Sequence, residues 1–236
     1  HGVAALVEKP FVRDPERGRE LTERARAAGL PLQVGHVERF NPAVRTLADI
    51  ASELEILAVD AERLGPPVGR TVDRSAVLDL MIHDIDVVRS LVDGEPREFS
   101  AVGIAGNRLT TAIGRIGDVV TTLTASRVTQ RKVRRLGVTA SECRIQVDYI
   151  DQSVDVYVDS NPEYVVDDGE VHHRVEGVVE QPTVPNGEPL RHQLSAFVDA
   201  VRTGSEPPVT AEDGVRAVEL ANRIDRLAAE RTEVHP

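Results

Sequence analysis

The strongest constraint on the fold is a strand–helix–strand pattern at the start of the chain. The apolar run VAALV at residues 3–7 predicts a short buried strand, and Leu32–Val37 predicts a second one. Between them, Pro15–Ala28 predicts a helix with Asp14 as its N-cap and Gly29 at its end. This order is typical of a parallel βαβ unit. Because two parallel strands cannot bury both faces alone, we expect them to be the tail of a doubly wound sheet.

The middle of the chain has the pattern of a different, mostly antiparallel sheet. A helix is predicted at Ala43–Ser52, with Asn41 as its N-cap, and a strand at Leu54–Arg63. After Gly94, runs rich in Val, Ile and Thr alternate with turn residues. These runs are Glu98–Gly106, Leu109–Ile116, Val119–Val128, Val133–Thr139, Cys143–Ile150 and Val154–Val158. We expect an open sheet with one face packed on helices, so the fold class is α/β plus α+β.

The last third of the chain predicts a long loop followed by two helices. Residues 159–187 are acidic and weakly patterned, which predicts a loop with one short strand at Val171–Val175. Amphipathic patterns predict helices at Pro189–Arg202 and Ala211–Ala229, the second capped by Thr210.

The stretch Val77–Val92 predicts a mostly buried helix that carries a narrow polar stripe. Its sequence, VLDLMIHDIDVVRSLV, is apolar on most of its circumference, yet Asp79, His83 and Asp86 stand at i, i+4 and i+7. Burying carboxylates and an imidazole is costly unless they are paired or face a wet cavity. The stripe therefore indicates either a pocket wall or a structural pair in which Asp79 accepts a hydrogen bond from His83. We interpret Asp84 and Asp86 as structural polar groups.

Composition excludes several classes of function. The 39 acidic residues outnumber the 28 basic ones and give a net charge of -11, which argues against nucleic acid and anionic membranes as partners. No apolar run reaches membrane length. The single Cys143 excludes an internal disulfide framework and a multi-cysteine zinc site, so we expect a cytoplasmic protein. High acid content with little lysine resembles proteins from salt-adapted or GC-rich organisms.

Two short loops after the predicted parallel strands carry candidate binding residues. Glu8–Pro10 follows the first strand, and Lys9 is one of only two lysines in the chain. Ligands of doubly wound sheets bind at the carboxyl ends of the strands, where desolvation lowers a lysine pKa toward that of a general base. The alternative is a surface lysine. His36, Arg39 and Asn41 follow the second strand and can bind a polar ligand, although an N-cap with solvated charges also explains them.

Other motifs give weaker signals. The acidic and histidine side chains of DxxxHDxD are metal-capable and could suggest a hydrolase centre, but we predict no metal site. The reason is that His172 and His173 lie in an acidic loop without ligand-like spacing. The sequence also has no HExxH, P-loop, GxSxG or GxGxxG motif.

Taken together, these motifs resemble those of one enzyme family. The string EKP after a strand, then GHVERFNP, DLMIHDID, an all-β stretch and a closing EPLRHQLSAFVDAVRTGSEPPVTAEDGVRAVELANRI are similar to the glucose–fructose oxidoreductase/inositol dehydrogenase (Gfo/Idh/MocA) family. The resemblance covers nearly the whole chain. Within the family, GHVERFNP combined with DLMIHDID is most similar to members that act on carbon 3 of UDP-N-acetylglucosamine.

The resemblance implies a two-domain oxidoreductase that uses NAD or NADP. Such an enzyme transfers a hydride between the nicotinamide and a secondary hydroxyl of a small-molecule sugar or sugar nucleotide. Residues 1–40 would be the end of a Rossmann domain, and residues 41–236 a substrate and oligomerisation domain. The final helices, 189–203 and 211–230, would pack back toward the first domain. The open sheet implies a homodimer or homotetramer.

The resemblance also implies the site residues. Lys9, Asp79 and His83 match the catalytic positions: His83 takes the hydroxyl proton, Asp79 fixes the imidazole tautomer, and Lys9 polarises the oxygen or shares the base role. The implied cofactor-binding residues are Glu8, Lys9, Pro10 and His36, and the Lys–Pro bond is often cis in relatives. Candidates for holding an anionic or polar substrate are Arg39, Asn41, Arg63, Arg70 and Arg74, although a single arginine in such an arginine-rich chain is more often a surface charge.

One family motif is missing from these 236 residues. In relatives, the glycine-rich nucleotide fingerprint belongs to strands that precede the position of VAALV. We therefore expect the sequence to be a fragment of a longer protein and to be inactive alone. The alternative is a non-catalytic binding or oligomerisation module that lacks the nucleotide site.

Overall fold

The computed structural model describes residues 2–67, 75–104, 106–159, 163–167, 170–174 and 177–232. The predicted parallel pair is confirmed: β1 (Ala5–Glu8) and β2 (Leu32–Gly35) pair in parallel and are connected by α1 (Pro15–Ala27). Asp14 caps this helix as predicted, because its carboxylate accepts a hydrogen bond from the Glu16 amide at 3.0 Å.

Strand β2 ends at Gly35, whereas the predicted strand Leu32–Val37 ends two residues later. Val37–Phe40 forms a 3-10 turn instead, and α2 (Pro42–Ala51) follows directly. Asn41 is the N-cap of α2 as predicted, its side-chain oxygen accepting a hydrogen bond from the Ala43 amide at 3.1 Å. The strand ends early because the chain must change direction before this cap.

A large, mostly antiparallel sheet forms the second unit, as predicted. The remaining strands are β3 (Ile56–Leu64), β4 (Pro96–Ile104), β5 (Leu109–Ile116), β6 (Val119–Ser126), β7 (Val133–Ala140), β8 (Arg144–Asp148), β9 (Ser153–Asp159), β10 (Glu163–Asp167), β11 (Glu170–Arg174) and β12 (Gly177–Glu180). In the described part of the chain, eight of them form one sheet in the order β12-β9-β8-β7-β3-β6-β5-β4. β3 pairs in parallel with β6 and antiparallel with β7, so β3 and β6 end at the same edge of the sheet.

The prediction of one short strand within residues 159–187 is wrong. β10 and β11 form an antiparallel hairpin, and β12 adds to the sheet edge beside β9. The predicted strand Val171–Val175 corresponds to β11, and its last residue lies outside the described residues. The pattern of β12 was missed because all four of its residues are exposed, so backbone pairing places it without the apolar alternation that marks a half-buried strand.

The predicted single helix Val77–Val92 consists of two parts. Val77–Met81 forms a π-helical turn, and α3 (Ile82–Leu91) continues from it. In a π-helical turn, each carbonyl oxygen accepts a hydrogen bond from the amide five residues later, rather than four residues later as in an α-helix. This difference rotates Asp79 relative to the α-helical residues that follow. The polar stripe that the sequence predicts is therefore broken between Asp79 and His83.

Helices cover one face of the large sheet. α2, α3 and the last helix, α5 (Ala211–Thr232), pack on it, and α5 also contacts α1 and β2. The preceding helix, α4 (Pro189–Thr203), ends at Gly204, whose φ of +67° closes it in the left-handed conformation. Thr210 caps α5 as predicted: its hydroxyl accepts a hydrogen bond from the Asp213 amide at 3.1 Å. No helix within the described residues has the length and apolar character needed to span a membrane.

The opposite face of the sheet remains open and is partly apolar. Along its strands, exposed side chains alternate with side chains buried under the helices. Large exposed apolar side chains on this face are Val102, Ile104, Ile113 and Tyr157. The sheet therefore has the two-faced construction that the strand patterns predict, with one face carrying the core.

A buried ion pair joins α3 to the central strand β3. The Arg63 side chain is 1% exposed, and its Nε and Nη2 donate to the two carboxylate oxygens of Asp84 at 2.7 and 2.8 Å. Its Nη1 donates to Glu38 Oε1 at 2.8 Å, and its guanidinium carbon lies 5.1 Å from the centre of the Tyr149 ring. The pKa of Arg63 is raised, because Asp84 and Glu38 outweigh the desolvation that opposes its charge. Asp84 is thus a structural group, as predicted.

Replacing Asp84 with Asn should destabilise the fold strongly. The change leaves the buried Arg63 charge without its main counter-charge, which costs about 3–5 kcal/mol for a buried pair. Urea unfolding followed by far-UV circular dichroism measures the loss. Asp60→Asn is the matched control, since Asp60 pairs with Arg144 at 2.9 Å but both side chains are more than 40% exposed. That control should lose less than about 1 kcal/mol, and equal losses for the two variants would contradict the structural role of Asp84.

Candidate active site

Lys9 lies where β1 ends and reaches across to the π-helical turn. The Lys9–Pro10 peptide bond is cis, as the resemblance implied. The ammonium donates to the Asp79 carbonyl oxygen at 2.7 Å and to its carboxylate Oδ1 at 3.2 Å. Desolvation lowers the pKa of Lys9, and the nearby Asp79 carboxylate offsets only part of this effect. Lys9 therefore has the half-buried setting that a general base or hydrogen-bond donor requires.

Asp79 is held by two cations. Besides Lys9, the guanidinium of Arg127 donates to Asp79 Oδ2. Burial raises the pKa of Asp79, but Lys9 and Arg127 lower it more, so this carboxylate remains charged. The sequence prediction missed Arg127, because the run Val119–Val128 was interpreted as one strand. The signal that could have found it is an arginine just after the carboxyl end of a strand that pairs in parallel with its neighbour.

His83 lies beside this cluster but is not paired with Asp79. Among the described residues, its Nδ1 is buried without a hydrogen-bond partner. The predicted hydrogen bond between Asp79 and His83 is therefore wrong, and the π-helical turn that rotates Asp79 toward Lys9 explains why. Desolvation, with the positive charges of Arg63 and Lys9, lowers the pKa of His83 well below its ordinary value. The imidazole is neutral near pH 7 and can accept a proton.

A second histidine is buried where β2 ends. His36 is fully buried, and within the described residues neither ring nitrogen makes a hydrogen bond. Its Nδ1 lies 4.0 Å from Asp86 Oδ2, but desolvation dominates and lowers the pKa of His36. Asp86 accepts a hydrogen bond from Arg39 Nε at 3.0 Å, and burial raises the pKa of Asp86 despite these partners. Asp86 is therefore a structural group, as predicted.

The predicted substrate-binding residues are only partly brought together. Arg39 bridges Asp86 and Asp213, and the buried Asn41 donates to the Tyr149 carbonyl oxygen at 3.0 Å while capping α2. Neither is among the lining residues of the cavity beside Asp79, whereas Arg63 is. Arg70 and Arg74 lie outside the described residues. Substrate binding by these residues stays a prediction.

A cavity of about 250 Å³ opens next to Asp79. It lies at the edge where the parallel strands β3 and β6 end and β7 begins. Lys9, Asp79 and Arg127 form a charged cluster at this edge, and we call them the Lys9 cluster. Among the described residues, no group of three or more His, Cys, Asp or Glu side chains is arranged to hold a metal ion. The arrangement combines a neutral imidazole and a desolvated lysine with a nearby cavity whose volume suits part of a small molecule.

A family model matches most of the chain. This model, which describes the C-terminal alpha/beta domain of the Gfo/Idh/MocA oxidoreductase family, matches residues 73–235. The chain belongs to the Gfo/Idh/MocA family. The match covers the final helices and every strand of the large sheet except β3, which confirms the predicted family.

Relatives of the chain within this family are dehydrogenases by name. The chain is 32% identical over 161 residues to a UDP-N-acetylglucosamine 3-dehydrogenase from Acidithiobacillus ferrooxidans, an alignment that covers 66% of this chain and 51% of that protein. It is 25% identical over 248 residues to an inositol 2-dehydrogenase from Rhizobium meliloti, covering 99% of this chain and 73% of that protein. The alignment with the first of these relatives thus spans about half of that relative's length.

A solved structure of the same Acidithiobacillus ferrooxidans enzyme, UDP-N-acetylglucosamine 3-dehydrogenase GnnA, has the same fold. The superposition has a TM-score of 0.86 at 26% identity and covers 97% of this chain and 72% of that one. Both the parallel unit and the large sheet therefore have counterparts in this Gfo/Idh/MocA structure.

The stability of this family member should fall as the pH drops below the ordinary histidine value of 6.5. His36 and His83 are neutral when buried but take up protons once unfolded, so the unfolded state binds more protons between their lowered pKa values and 6.5. Each contributes a slope of up to about 1.4 kcal/mol per pH unit. Urea unfolding at several pH values between 5 and 8 measures the slope. The double variant His36→Gln/His83→Gln should lose much of it, and an unchanged slope would contradict this origin.

Proposed function

We propose that the chain is the catalytic part of an NAD(P)-dependent dehydrogenase that oxidises a secondary hydroxyl of a sugar or sugar nucleotide. Carbon 3 of UDP-N-acetylglucosamine is the first reaction to test, because a similar protein carries that activity in its name. The observation that carries the proposal is the Lys9 cluster, of which Asp79 and Arg127 line a cavity, together with the neutral His83.

The proton chemistry is assigned to His83 and Lys9. A neutral imidazole accepts the hydroxyl proton directly, and the lowered pKa of Lys9 lets this residue donate a hydrogen bond to the same oxygen or share the proton. Asp79 acts on Lys9 rather than on His83: its carboxylate, itself held by Arg127, accepts a hydrogen bond from the ammonium and fixes its position. This replaces the predicted role of Asp79 as the group that fixes the imidazole tautomer.

The described residues fit only one end of a nicotinamide cofactor. β1 and β2 end side by side, with Glu8 opposite Gly35, and the unbonded His36 ring follows directly. Glu8, Lys9, Pro10 and His36 would hold the nicotinamide end. Residues 9–14, between β1 and α1, contain no glycine, so this turn offers no glycine-rich cradle for the phosphates. When bound, oxidised NAD or NADP supplies the hydride acceptor.

The open face of the sheet is proposed as a subunit interface. Its exposed apolar side chains, including Val102 and Ile113, are typical of surfaces that pair with a second copy. We propose a homodimer or homotetramer through this face. A cytoplasmic location is part of the proposal, since Cys143 is the only cysteine in the chain.

Replacing either of the two proton-handling residues should lower turnover strongly with little effect on folding. Lys9→Met and His83→Gln in the full-length protein are each expected to lower kcat by about 10² or more, the usual contribution of a general acid or base. The assay follows NAD(P)H absorbance with UDP-N-acetylglucosamine and, separately, with myo-inositol.

The matched control for this assay is His192→Gln. His192 lies on α4 against Gly187 and is not among the described lining residues of the cavity, so the turnover of this variant should stay near that of the unmodified protein. A loss of less than about tenfold for both Lys9→Met and His83→Gln would overturn the assignment. Unmeasurable turnover in the unmodified full-length protein, with no NAD(P)H binding, would instead favour the non-catalytic module.

The interface proposal predicts that charge on the open face separates the subunits. Val102→Glu combined with Ile113→Glu places two carboxylates on this face and should shift the protein to a monomer in light scattering after size-exclusion chromatography. Val198→Glu is the control, because Val198 is similarly exposed but lies on α4. A double variant that keeps its mass would contradict the interface.

A further inference from the structure

The cavity beside Asp79 has an unusual charge for this chain. Four of its lining residues are cations, namely Arg63, Arg127, Lys132 and Arg134, while Asp79 is the only carboxylate among the described lining residues. The chain as a whole carries a net charge of -11. A positive cavity in an acidic protein concentrates anions where the rest of the surface repels them.

Two of these arginines face each other across the sheet. Arg63 on β3 pairs in register with Arg134 on β7, and like charges directly opposite on neighbouring strands repel. They share one carboxylate, because Glu38 Oε1 lies 2.8 Å from Arg63 Nη1 and 3.8 Å from Arg134 Nη1. Arg63 also has Asp84, whereas Glu38 is the only carboxylate within ion-pair distance of Arg134 among the described residues.

The charge of Arg134 is therefore poorly compensated. Desolvation and the positive charge of Arg63 lower the pKa of Arg134, and the surrounding carboxylates do not reverse this. Lys132, the second lysine of the chain, is an exposed residue just before the same strand and lines the same cavity. A bound anion would offset the uncompensated positive charge of Arg134 and Lys132.

We propose that Arg134 and Lys132 form a subsite for the diphosphate group of a nucleoside diphosphate sugar, with the sugar ring directed toward the Lys9 cluster. The inference rests on the proposed function, because it assigns the anionic part of the substrate to the same site. Arg134 supplies a planar donor for two phosphate oxygens, and Lys132 supplies a point charge at the entrance.

The apolar lining residues of the cavity fit the rest of such a ligand. Leu64, Pro66, Pro67 and Leu80 line the cavity and give it an apolar side. Asp79 also lines the cavity and accepts a hydrogen bond from Lys9, which connects the cavity to the proposed site of hydride transfer. A ligand with an anionic group and less polar ends matches a lining that combines cations with apolar side chains. An uncharged cyclitol such as inositol would leave the two cations unused.

Isothermal titration calorimetry of the full-length protein with UDP tests the proposal without any hydride transfer. Inorganic pyrophosphate and uridine are titrated in parallel, so that the phosphates and the nucleoside are measured separately. Arg134→Gln and Lys132→Gln should each weaken UDP binding by about tenfold or more, as expected for charge-assisted bonds to phosphate. Raising the salt concentration should weaken binding of the unmodified protein as well.

Two exposed arginines beside the cavity provide matched controls. Arg135 is next to Arg134 on β7 but points to the other face and pairs with Asp148 at 3.6 Å, and Arg131 precedes Lys132 outside the lining. Arg135→Gln and Arg131→Gln remove the same charge and should leave UDP binding within about twofold. Equal weakening by all four variants would overturn the proposal, because it would reflect net charge only.

The outcomes separate this inference from the proposed function. UDP and pyrophosphate binding that depends on Arg134 supports the subsite even if no sugar is oxidised. If UDP binds more tightly than pyrophosphate, the nucleoside contributes to binding as well, and this result also supports the proposal. Absence of UDP binding at millimolar concentration, in a protein that oxidises inositol through Lys9 and His83, would overturn the subsite and leave the dehydrogenase function standing.

Discussion

The guanidinium of Arg63 lies inside the larger unit with 1% of its side chain exposed, and carboxylates from two other parts of the chain pair with it. It joins three parts of the chain: β3 carries it, α3 supplies Asp84, and the turn after β2 supplies Glu38. An unpaired charge at this depth would cost several times the value of an ordinary hydrogen bond. The pairing therefore defines how α3 and the end of β2 lie against the sheet.

The same arrangement gives the site its chemistry. Since α3 is held by Asp84, the π-helical turn before it presents Asp79 to Lys9 and Arg127 rather than to His83. Arg63 also contributes to the lowered pKa values of Lys9 and His83, with desolvation as the larger cause in each case. A structural cation thus adds to the desolvation that lowers the pKa of both proposed proton-handling groups.

The large sheet places the hydrophobic core, the proposed subunit interface and the cavity at three different locations. The helix-covered face carries the core, the open face carries the exposed apolar side chains, and the edge where β3 and β6 end carries the cavity. The parallel pairing of β3 with β6 makes this edge possible, because two strands deliver their carboxyl ends to the same place. Family membership in Gfo/Idh/MocA agrees with this layout, while substrate and cofactor remain proposals for these residues.

The sequence by itself determined the parallel unit, the strands β4 to β9, the helix caps and the family, because periodicity, caps and motifs are local signals. It also picked out Lys9, Asp79 and His83 as candidates, although whether they act in catalysis stays a prediction. The tertiary structure alone decided that Asp79 binds Lys9 and Arg127, since a π-helical turn changes side-chain direction without leaving a local pattern. It also brought Arg134 and Arg63 together, because strand register between segments far apart in sequence depends on packing.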